Sequence, residues 1–377
     1  MKILYNIAGT YHSGGMERVL ANKANWLVEH GYEVVIVTTD QRGEKPFFPL
    51  DKRIVCHDLG VNYEDNNGCS IWNKLWHYPA KQIRHKRKLV KVLMAERPDV
   101  TVSMFCNDVS FLPDIKDGSR KVLEIHFSKF KRLQYGRKGL WRLADIWRNK
   151  QEEKEVKQFD RFVVLTEEDR GYWGELSNIQ VIPNARTFTP TEKAKLDSHK
   201  VIAVGRYTHQ KGFERLIEAW RLIGERHLEW RLDIIGDGEE RERLQALIDF
   251  YGLHKQVSLK KPTTEIEKVY LDAAILVMSS RYEGLPMILL EGQAYGLPIV
   301  SFQCQCGPAD VVEEGVSGFL VPEGDVMALA NRLDMLMSDD LLRKKMGNAA
   351  LKASEKYEEE KIMKQWVQLF DQITKNL

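Results

Sequence analysis

The chain has 377 residues, of which 43% are hydrophobic and 29% are charged, and its formal net charge is +2. This length suits about two domains of roughly 150 residues each, and the composition excludes a disordered chain. The balanced charge gives no support to a nucleic-acid partner.

The N-terminal residues, MKILYNIAGT, lead almost directly into a strand-like run and show no signal-peptide pattern. No apolar stretch approaches the ~20 residues that span a bilayer. The five cysteines form no CxxC pair and no zinc framework. The pair Cys304 and Cys306 leaves open the interpretation that it is part of a metal site. We expect instead that the cysteines are small apolar side chains in a reducing compartment. We therefore expect a cytoplasmic protein.

Short β-branched runs alternate with longer amphipathic stretches along the chain. The predicted strands lie at 2–8, 33–39, 99–105, 121–126, 160–166, 201–206, 231–237, 273–280 and 298–302. Helical periodicity is found, among other places, at 16–30, 212–226, 239–252 and 325–337, and in a last amphipathic helix at 358–375. Strands that are apolar throughout and alternate with helices indicate parallel sheets covered on both faces. The predicted fold class is therefore α/β.

The strand series is interrupted once. Residues 183–200, PNARTFTPTEKAKLDSHK, are polar, contain two prolines and have no clear period. The pattern predicts two doubly wound, Rossmann-like domains, at 1–184 and 185–357, with a ligand-binding cleft between them. The helix at 358–377 is expected to return to the first domain.

Most unusual polar or glycine residues come just after a predicted strand. They are Gly14 and Gly15, His126, Arg206 and Lys211, Asp237, Arg281 and Glu283, and the run CQCGPAD at 304–310. The carboxyl ends of parallel strands share one edge of a sheet, where open α/β sheets bind ligands. The alternative is that turns after strands ordinarily carry glycine, aspartate and charge.

Each turn leaves two interpretations open. Gly14 and Gly15 precede a helix, where backbone N–H groups either approach an anion or form an ordinary tight turn. They do not make the dinucleotide-binding fingerprint GxGxxG. Arg206 and Lys211 place two cations at one strand end, which suits a diphosphate or a solvated surface pair.

Two further residues are also ambiguous. Asp237 lies between two glycines, which suits either close approach to a flat base or a turn in which Asp237 caps the next helix. His126 ends its strand and is either a structural histidine or a group at the ligand-binding edge.

The stretch SSRYEGLPMILLEGQAYGLPIVS, at 279–301, contains two glutamates around a helix start. Pro286 suits the first helical position and Gly296 the end, so Glu283 precedes the helix and Glu291 lies inside it. The free N–H groups of the first turn favour a phosphate. Glu283 and Glu291 would then hold hydroxyls on either side of it, as in a nucleotide sugar. The alternative is a capping carboxylate and a surface glutamate.

This stretch resembles the retaining glycosyltransferases of family 4, whose GT-B fold has two Rossmann-like domains. Their hallmark is two glutamates separated by seven residues, here Glu283 and Glu291. The resemblance extends to SGGMERVLANKANWL, VIPN, VGRYTHQKGFERLIEAW, DIIGDGEER and CGPADVVEEGVSGFLV, in the family's usual order. The amino-acid sequence of this stretch is most similar to that of bacterial enzymes that add hexoses or N-acetylhexosamines to lipid-linked or surface polysaccharides.

The resemblance implies roles for the matching residues. Arg206 and Lys211 correspond to the clamp on the donor diphosphate, Glu283 to the carboxylate that contacts the donor sugar, and Glu291 to the one that binds ribose. His126 corresponds to the histidine near the C6 side of that sugar. The implied catalytic residues are Glu283, His126, Arg206 and Lys211, and the rest of the implied donor site is Gly14, Gly15, Asp237, Gly284, Leu285, Pro286 and Glu291.

The resemblance also implies the reaction: a sugar moves from a donor, expected to be a UDP-hexose or UDP-N-acetylhexosamine, with retention of configuration. No metal and no further cofactor are expected. One departure is that VIPN is followed by Ala185, Arg186 and Thr187, where the family commonly has glycine. The alternatives are a nucleotide-sugar epimerase and a non-catalytic nucleotide-sugar binding module on the same scaffold.

The acceptor is expected to be a glycan or a lipid-linked glycan. Residues 72–93 and 126–150 are basic and aromatic. Such segments suit an anionic membrane surface, at about 1 kcal/mol for each basic residue near it. A solvated helix face or an RNA-like patch is the alternative. We expect peripheral contact with the inner face of the cell membrane and no nucleic-acid partner.

Overall fold

The structure, a computed structural model, describes residues 1–66, 71–131 and 139–375. It divides into two compact units. The first comprises Met1–Pro183 together with Ile362–Leu377, and the second comprises Asn184–Lys361. Each unit contains one parallel sheet with helices, so the predicted fold class is confirmed.

The first unit has a seven-stranded sheet in the order β3-β2-β1-β4-β5-β6-β7. Its strands are β1 (Lys2–Ile7), β2 (Glu33–Thr38), β3 (Val55–Asp58), β4 (Val100–Ser103), β5 (Arg120–Glu124), β6 (Arg161–Val164) and β7 (Ile179–Val181). Its α-helices in the described residues are α1 (Gly15–Glu29), α2 (Ile71–Glu96), α3 (Leu140–Glu155) and α4 (Glu167–Trp173). All paired strands run parallel, as apolar strands separated by helices predict.

The second unit has a six-stranded parallel sheet in the order β10-β9-β8-β11-β12-β13. Its strands are β8 (Lys200–Val204), β9 (Arg231–Ile235), β10 (Val257–Lys260), β11 (Ile275–Met278), β12 (Ile299–Gln303) and β13 (Gly318–Pro322). Its α-helices are α5 (Phe213–Ile223), α6 (Arg241–Phe250), α7 (Ile266–Leu271), α8 (Met287–Ala294), α9 (Pro308–Val311), α10 (Val326–Ser338) and α11 (Asp340–Ser354).

The cores form because the strands bury side chains on both faces. In the first unit Leu4, Leu123 and Phe162 belong to one buried cluster. In the second unit Ile234 and Val277 belong to another. Full burial of one such side chain contributes about 1.5–3 kcal/mol, so each sheet supplies a rigid edge on which loops can be placed.

The last helix, α12 (Glu359–Thr374), packs with the first unit from Ile362 onward. Its apolar residues recur every three or four positions and are each at most 5% exposed: Ile362, Met363, Trp366, Leu369, Phe370 and Ile373. This is the stripe that an amphipathic helix buries against a core.

No helix in the described ranges combines the length and the apolar composition needed to cross a bilayer. The 26-residue helix α2 is long enough, but it is rich in lysine and arginine and contains Pro79.

Candidate functional site

The loop between β11 and α8 carries Glu283 and is held by backbone hydrogen bonds from both sides. On one side the Glu283 N–H donates to the Gln305 carbonyl at 2.7 Å, and the Cys306 N–H donates to the Glu283 carbonyl at 3.1 Å. On the other side the Arg281 N–H donates to the Gln210 carbonyl at 2.8 Å. The turns after β8 and β12 therefore fix the position of Glu283.

Two glycines allow this close approach. Gly212 has φ +60°, and a Cβ there would clash with the Ser279 carbonyl oxygen. Gly307 has φ +96°, and its Cβ would lie 2.8 Å from both the Gly284 carbonyl oxygen and Pro286 Cδ. An L-residue at either position would be strained and would push the loop away. We did not predict these roles; the glycines after Lys211 and Cys306 were the available signal.

Lys211 and Glu283, which were both predicted for the donor site, lie in contact. Lys211 Nζ donates to Glu283 Oε1 at 2.7 Å, and the two side chains are 16% and 9% exposed. Removing one partner would leave the other as a nearly buried charge, which typically costs 3–5 kcal/mol. The pair is neutral overall, so Lys211 is not a second free cation here.

Arg206 supplies the unpaired positive charge at the same strand end. It follows β8 by two residues, and its exposed side chain makes no hydrogen bond or ion pair with any described residue, although its backbone carbonyl accepts a hydrogen bond from the Thr208 N–H. The expected pair of cations is thus one free guanidinium and one ammonium that is bound to a carboxylate.

Helix α8 begins at Met287, with Pro286 as its N-terminal cap rather than as its first residue. Pro286 has no side chain that could cap this end, and the described hydrogen bond to the Glu283 carboxylate comes from Lys211 rather than from a backbone N–H of α8, so Glu283 is not a capping carboxylate. The first N–H groups of a helix have no partner within the helix and carry a partial positive charge. Leu285 and Pro286 are buried beside this end, and Gly284 is half-buried.

Glu291 lies inside α8 and is 8% exposed, so it is not a surface glutamate. Its Oε1 accepts a hydrogen bond from Thr187 Oγ1 at 2.7 Å, and its Oε2 accepts one from the Tyr270 hydroxyl at 2.6 Å. Tyr270 in turn stacks on Tyr295, with 5.3 Å between ring centroids. Glu283 is therefore held by a cation and Glu291 by hydroxyl groups.

Sequence reasoning missed Thr187 and Tyr270. Thr187 belongs to the three residues that depart from the family pattern, and this departure was the available signal. Tyr270 lies on α7 in a stretch with no motif.

The turn that contains Asp237 is explained by packing of the backbone. A Cβ at Gly236 would clash with the Gly205 carbonyl oxygen, and a Cβ at Gly238 would lie 2.5 Å from the Tyr207 carbonyl oxygen. Asp237 is exposed and accepts a hydrogen bond from the Gly238 N–H at 2.9 Å. It does not cap α6, whose N-terminal cap is Glu240.

In the first unit the predicted glycines begin helix α1. Gly14 is its N-terminal cap and Gly15 its first residue. Gly15 is exposed, and a Cβ there would meet nothing within 4 Å. At Gly14, by contrast, a Cβ would clash with the carboxylate of Glu17, so an anionic side chain already lies against the start of α1.

His126 follows β5 by two residues, and its side chain is 7% exposed. Its Nε2 lies 3.2 Å from Oε1 of Glu124, which also accepts a hydrogen bond from Lys23 Nζ at 2.6 Å. Burial opposes ionisation of Glu124, but Lys23 and His126 outweigh it and lower the pKa of this carboxyl to about 2. His126 also lines a cavity of about 640 Å³ in this unit.

Two Rossmann-like parallel sheets in one chain, with buried carboxylates before and inside the helix that follows a central strand, define a glycosyltransferase of the GT-B class. Comparison with known proteins agrees. The family described as "Glycosyltransferase Family 4" matches residues 13–186, and "Glycosyl transferases group 1" matches residues 185–353.

Two relatives that match along nearly the whole chain are also named glycosyltransferases. An uncharacterized glycosyltransferase of Haemophilus influenzae is 30% identical over 374 residues, which cover 97% of this chain and 98% of that protein. The amylovoran biosynthesis glycosyltransferase AmsD of Erwinia amylovora is 28% identical over 386 residues, with 97% and 98% coverage. The chain therefore belongs to this glycosyltransferase family and is an enzyme.

Solved structures agree on the fold. The structure of TarM from S. aureus, in complex with fondaparinux, alpha-GlcNAc-glycerol and UDP, superposes with a TM-score of 0.77 at 17% identity. The match covers 98% of this chain and 99% of that one.

We predict that Gly212→Ala destabilises the second unit more than Gly315→Ala does. Both glycines have a left-handed φ, +60° and +73°, which costs alanine about 1–2 kcal/mol. A Cβ at Gly315 meets nothing within 4 Å, whereas one at Gly212 meets the Ser279 carbonyl and adds about 1–3 kcal/mol of overpacking. Urea unfolding measures the loss of stability in both variants. Equal losses would contradict the close packing of Gly212 against the loop that carries Glu283.

Proposed function

We propose that the protein is a retaining, metal-independent glycosyltransferase. Its donor is a UDP-hexose or UDP-N-acetylhexosamine, and its acceptor is a glycan or lipid-linked glycan of surface polysaccharide biosynthesis. The observation that carries the proposal is the Lys211–Glu283 pair beside the start of α8, with Glu291 buried in that helix. The amylovoran function in the name of AmsD and the UDP bound to TarM support the acceptor class and the nucleotide.

The donor would lie along the start of α8. Arg206 and the first N–H groups of the helix bind the diphosphate, because both present positive charge with no anionic partner. Glu283 accepts from hydroxyls of the donor sugar, while Lys211 balances the charge of its carboxylate. Glu291 accepts from ribose, because its carboxylate already binds hydroxyl groups, those of Thr187 and Tyr270.

In the proposed reaction the bond between C1 of the sugar and the diphosphate oxygen breaks. The acceptor hydroxyl forms the new bond to C1 on the same face and gives its proton to the departing diphosphate. Glu283 orients the sugar rather than attacking it, because it is tied to Lys211 at 2.7 Å. Charge on the leaving diphosphate is stabilised by Arg206 and the helix start. We also propose for His126, Gly14 and Gly15 the donor-binding roles that the resemblance implies.

The two alternatives make different predictions for turnover. An epimerase would convert the donor without an acceptor, and a binding module would convert nothing. Membership in the glycosyltransferase family disfavours both. Turnover with and without an acceptor glycan separates them.

We predict that a UDP-sugar stabilises the protein in the absence of metal. A ligand at 100 times its dissociation constant adds ~2.7 kcal/mol, a shift of a few degrees in Tm. Thermal unfolding is measured with UDP, GDP, ADP, UDP-glucose, UDP-GlcNAc, UDP-GalNAc and NAD, with EDTA present. Arg206→Ala and Glu291→Ala should abolish the shift. A shift with NAD alone, or one that requires a divalent metal, would overturn the donor site as proposed.

We predict that Arg206→Ala lowers the transfer rate at least ~10²-fold, the scale of one lost oxyanion donor. The matched control is Arg243→Ala, which removes an exposed arginine of α6 whose described partner is Glu240. That variant should retain the wild-type rate. UDP release is the measurement, and a near-wild-type rate for Arg206→Ala would remove Arg206 from the mechanism.

The proposal includes peripheral contact with an anionic membrane, which a lipid-linked acceptor requires. On α3, Leu143 and Trp147 are 63% and 66% exposed and lie four residues apart, so they share a face, and exposed Arg142 and Arg148 are adjacent in sequence. Other basic or aromatic residues of these segments lie outside the described residues or have side chains that do: Lys74, Arg132, Arg137, Lys138 and Trp141.

We predict that the protein floats with anionic vesicles at low salt and is released at high salt, because the basic charges act over a Debye length. The double variant Leu143→Ser/Trp147→Ser should bind less. Vesicles of neutral lipid are the control. Absence of binding to anionic vesicles at low salt would refute the membrane contact.

A further inference from the structure

The first unit contains a buried ion pair that the proposed reaction does not use. Lys23 of α1 and Glu124 at the end of β5 are joined at 2.6 Å, and their side chains are 5% and 1% exposed. Burying two charges costs several kcal/mol for each ion, and an apolar pair of similar volume is often at least as stable. Stability alone therefore does not explain why a carboxylate occupies this buried position.

Glu124 is held in place by more than Lys23 alone. The Lys23 ammonium lies 3.7 Å from the ring centroid of Trp366, which is 1% exposed on α12. A cation over a tryptophan face in a desolvated site gains about 2 kcal/mol. The last helix thus fixes the ammonium, the ammonium fixes the carboxylate, and the carboxylate stays ionised.

The same carboxylate oxygen faces His126. Oε1 of Glu124 lies 2.6 Å from Lys23 Nζ and 3.2 Å from His126 Nε2. The other oxygen, Oε2, has no hydrogen-bond partner among the described residues. Both contacts therefore converge on one atom. The spacing of two residues explains the geometry, since residues i and i+2 point to the same side of an extended chain.

We propose that Glu124 is a positioning residue for His126. Its Oε1 lies 3.2 Å from His126 Nε2, which is buried and has no hydrogen-bond partner among the described residues, so the carboxylate sets the orientation of the ring and leaves Nδ1 as the nitrogen available to a ligand. Lys23 and Trp366 hold Glu124 in this position. The inference rests on the proposed role of His126 at the donor sugar. Glu17 of α1 is a further charged group near His126, because His126 and His12 both counter the effect of burial on the pKa of Glu17.

The test must separate positioning from folding. Glu124→Gln alone would leave the Lys23 ammonium buried and unpaired, so the variant used is Lys23→Met/Glu124→Gln, which removes both charges at nearly constant volume. A matched control exists on the same strand. Lys121 and Asp117 form another buried ion pair, with side chains 5% and 0% exposed, near the amino end of β5. The control variant is Asp117→Asn/Lys121→Met.

The measurement is UDP release, with an acceptor glycan present, from the UDP-sugar that gives the largest thermal shift, and thermal unfolding is the folding check. Lys23→Met/Glu124→Gln should fold and lower kcat about tenfold, within the range of coupling between contacting residues. In a His126→Ala background the same change should alter kcat less than about twofold, because the group it positions is gone. The control variant should leave kcat unchanged in both backgrounds.

Each other outcome has one meaning. Equal losses in both backgrounds, or the same loss from the control pair, would show that Glu124 acts through stability and would overturn the positioning role. A His126→Ala variant with wild-type kcat would refute the role of His126 and with it this inference, while leaving the transferase assignment intact. Absence of UDP release by the wild-type protein from every UDP-sugar that binds would instead refute the proposed donor reaction.

Discussion

The salt bridge between Lys211 and Glu283 is the interaction on which the second unit's site depends. Glu283 is 9% exposed on its side chain, and a carboxylate buried to that extent is costly unless a cation lies beside it. The loop that carries it is closed between two turns, whose glycines permit an approach that any larger residue would prevent. Charge and backbone packing therefore reinforce each other: the glycines bring Glu283 to Lys211, and Lys211 makes its burial tolerable.

Glu291 meets the same cost of burial in a different way. Thr187 and Tyr270 each donate a hydroxyl hydrogen bond to it. These bonds do not cancel its charge, whereas Lys211 neutralises Glu283. The two glutamates of one motif thus differ in what they can offer: Glu283 offers a fixed, charge-balanced acceptor, and Glu291 offers a carboxylate held by hydroxyl groups. A donor sugar that develops positive charge and a ribose with two hydroxyls are different ligands. The different environments of Glu283 and Glu291 suit these two ligands.

The sequence predicted the inner strands of both sheets and missed β3, β7, β10 and β13. These four are the edge strands. An inner strand of a parallel sheet is buried on both faces and reads as an apolar run, as in β1, whereas β3 is exposed along most of its length and gives no such run. The residues of the two sites likewise fall into those that the sequence predicted and those that it did not. Glu283, Glu291 and Lys211 lie in short motifs, but Thr187 is 104 residues from Glu291 and Lys23 is 101 residues from Glu124. Contacts of that separation are created by the fold and have no local pattern.

Both units place a lysine–glutamate pair at or beyond the end of an inner strand, and the two pairs differ in access. The Lys211 and Glu283 side chains are 16% and 9% exposed, so a ligand can reach them. The Lys23 and Glu124 side chains are 5% and 1% exposed, and Trp366 covers the ammonium. A sealed carboxylate cannot touch a substrate, so any effect it has on chemistry must pass through a neighbour. The neighbour within reach that also lines a cavity is His126. Because Glu124 is buried, it cannot contact a substrate directly. An indirect role through the His126 imidazole is therefore the one that is consistent with its position.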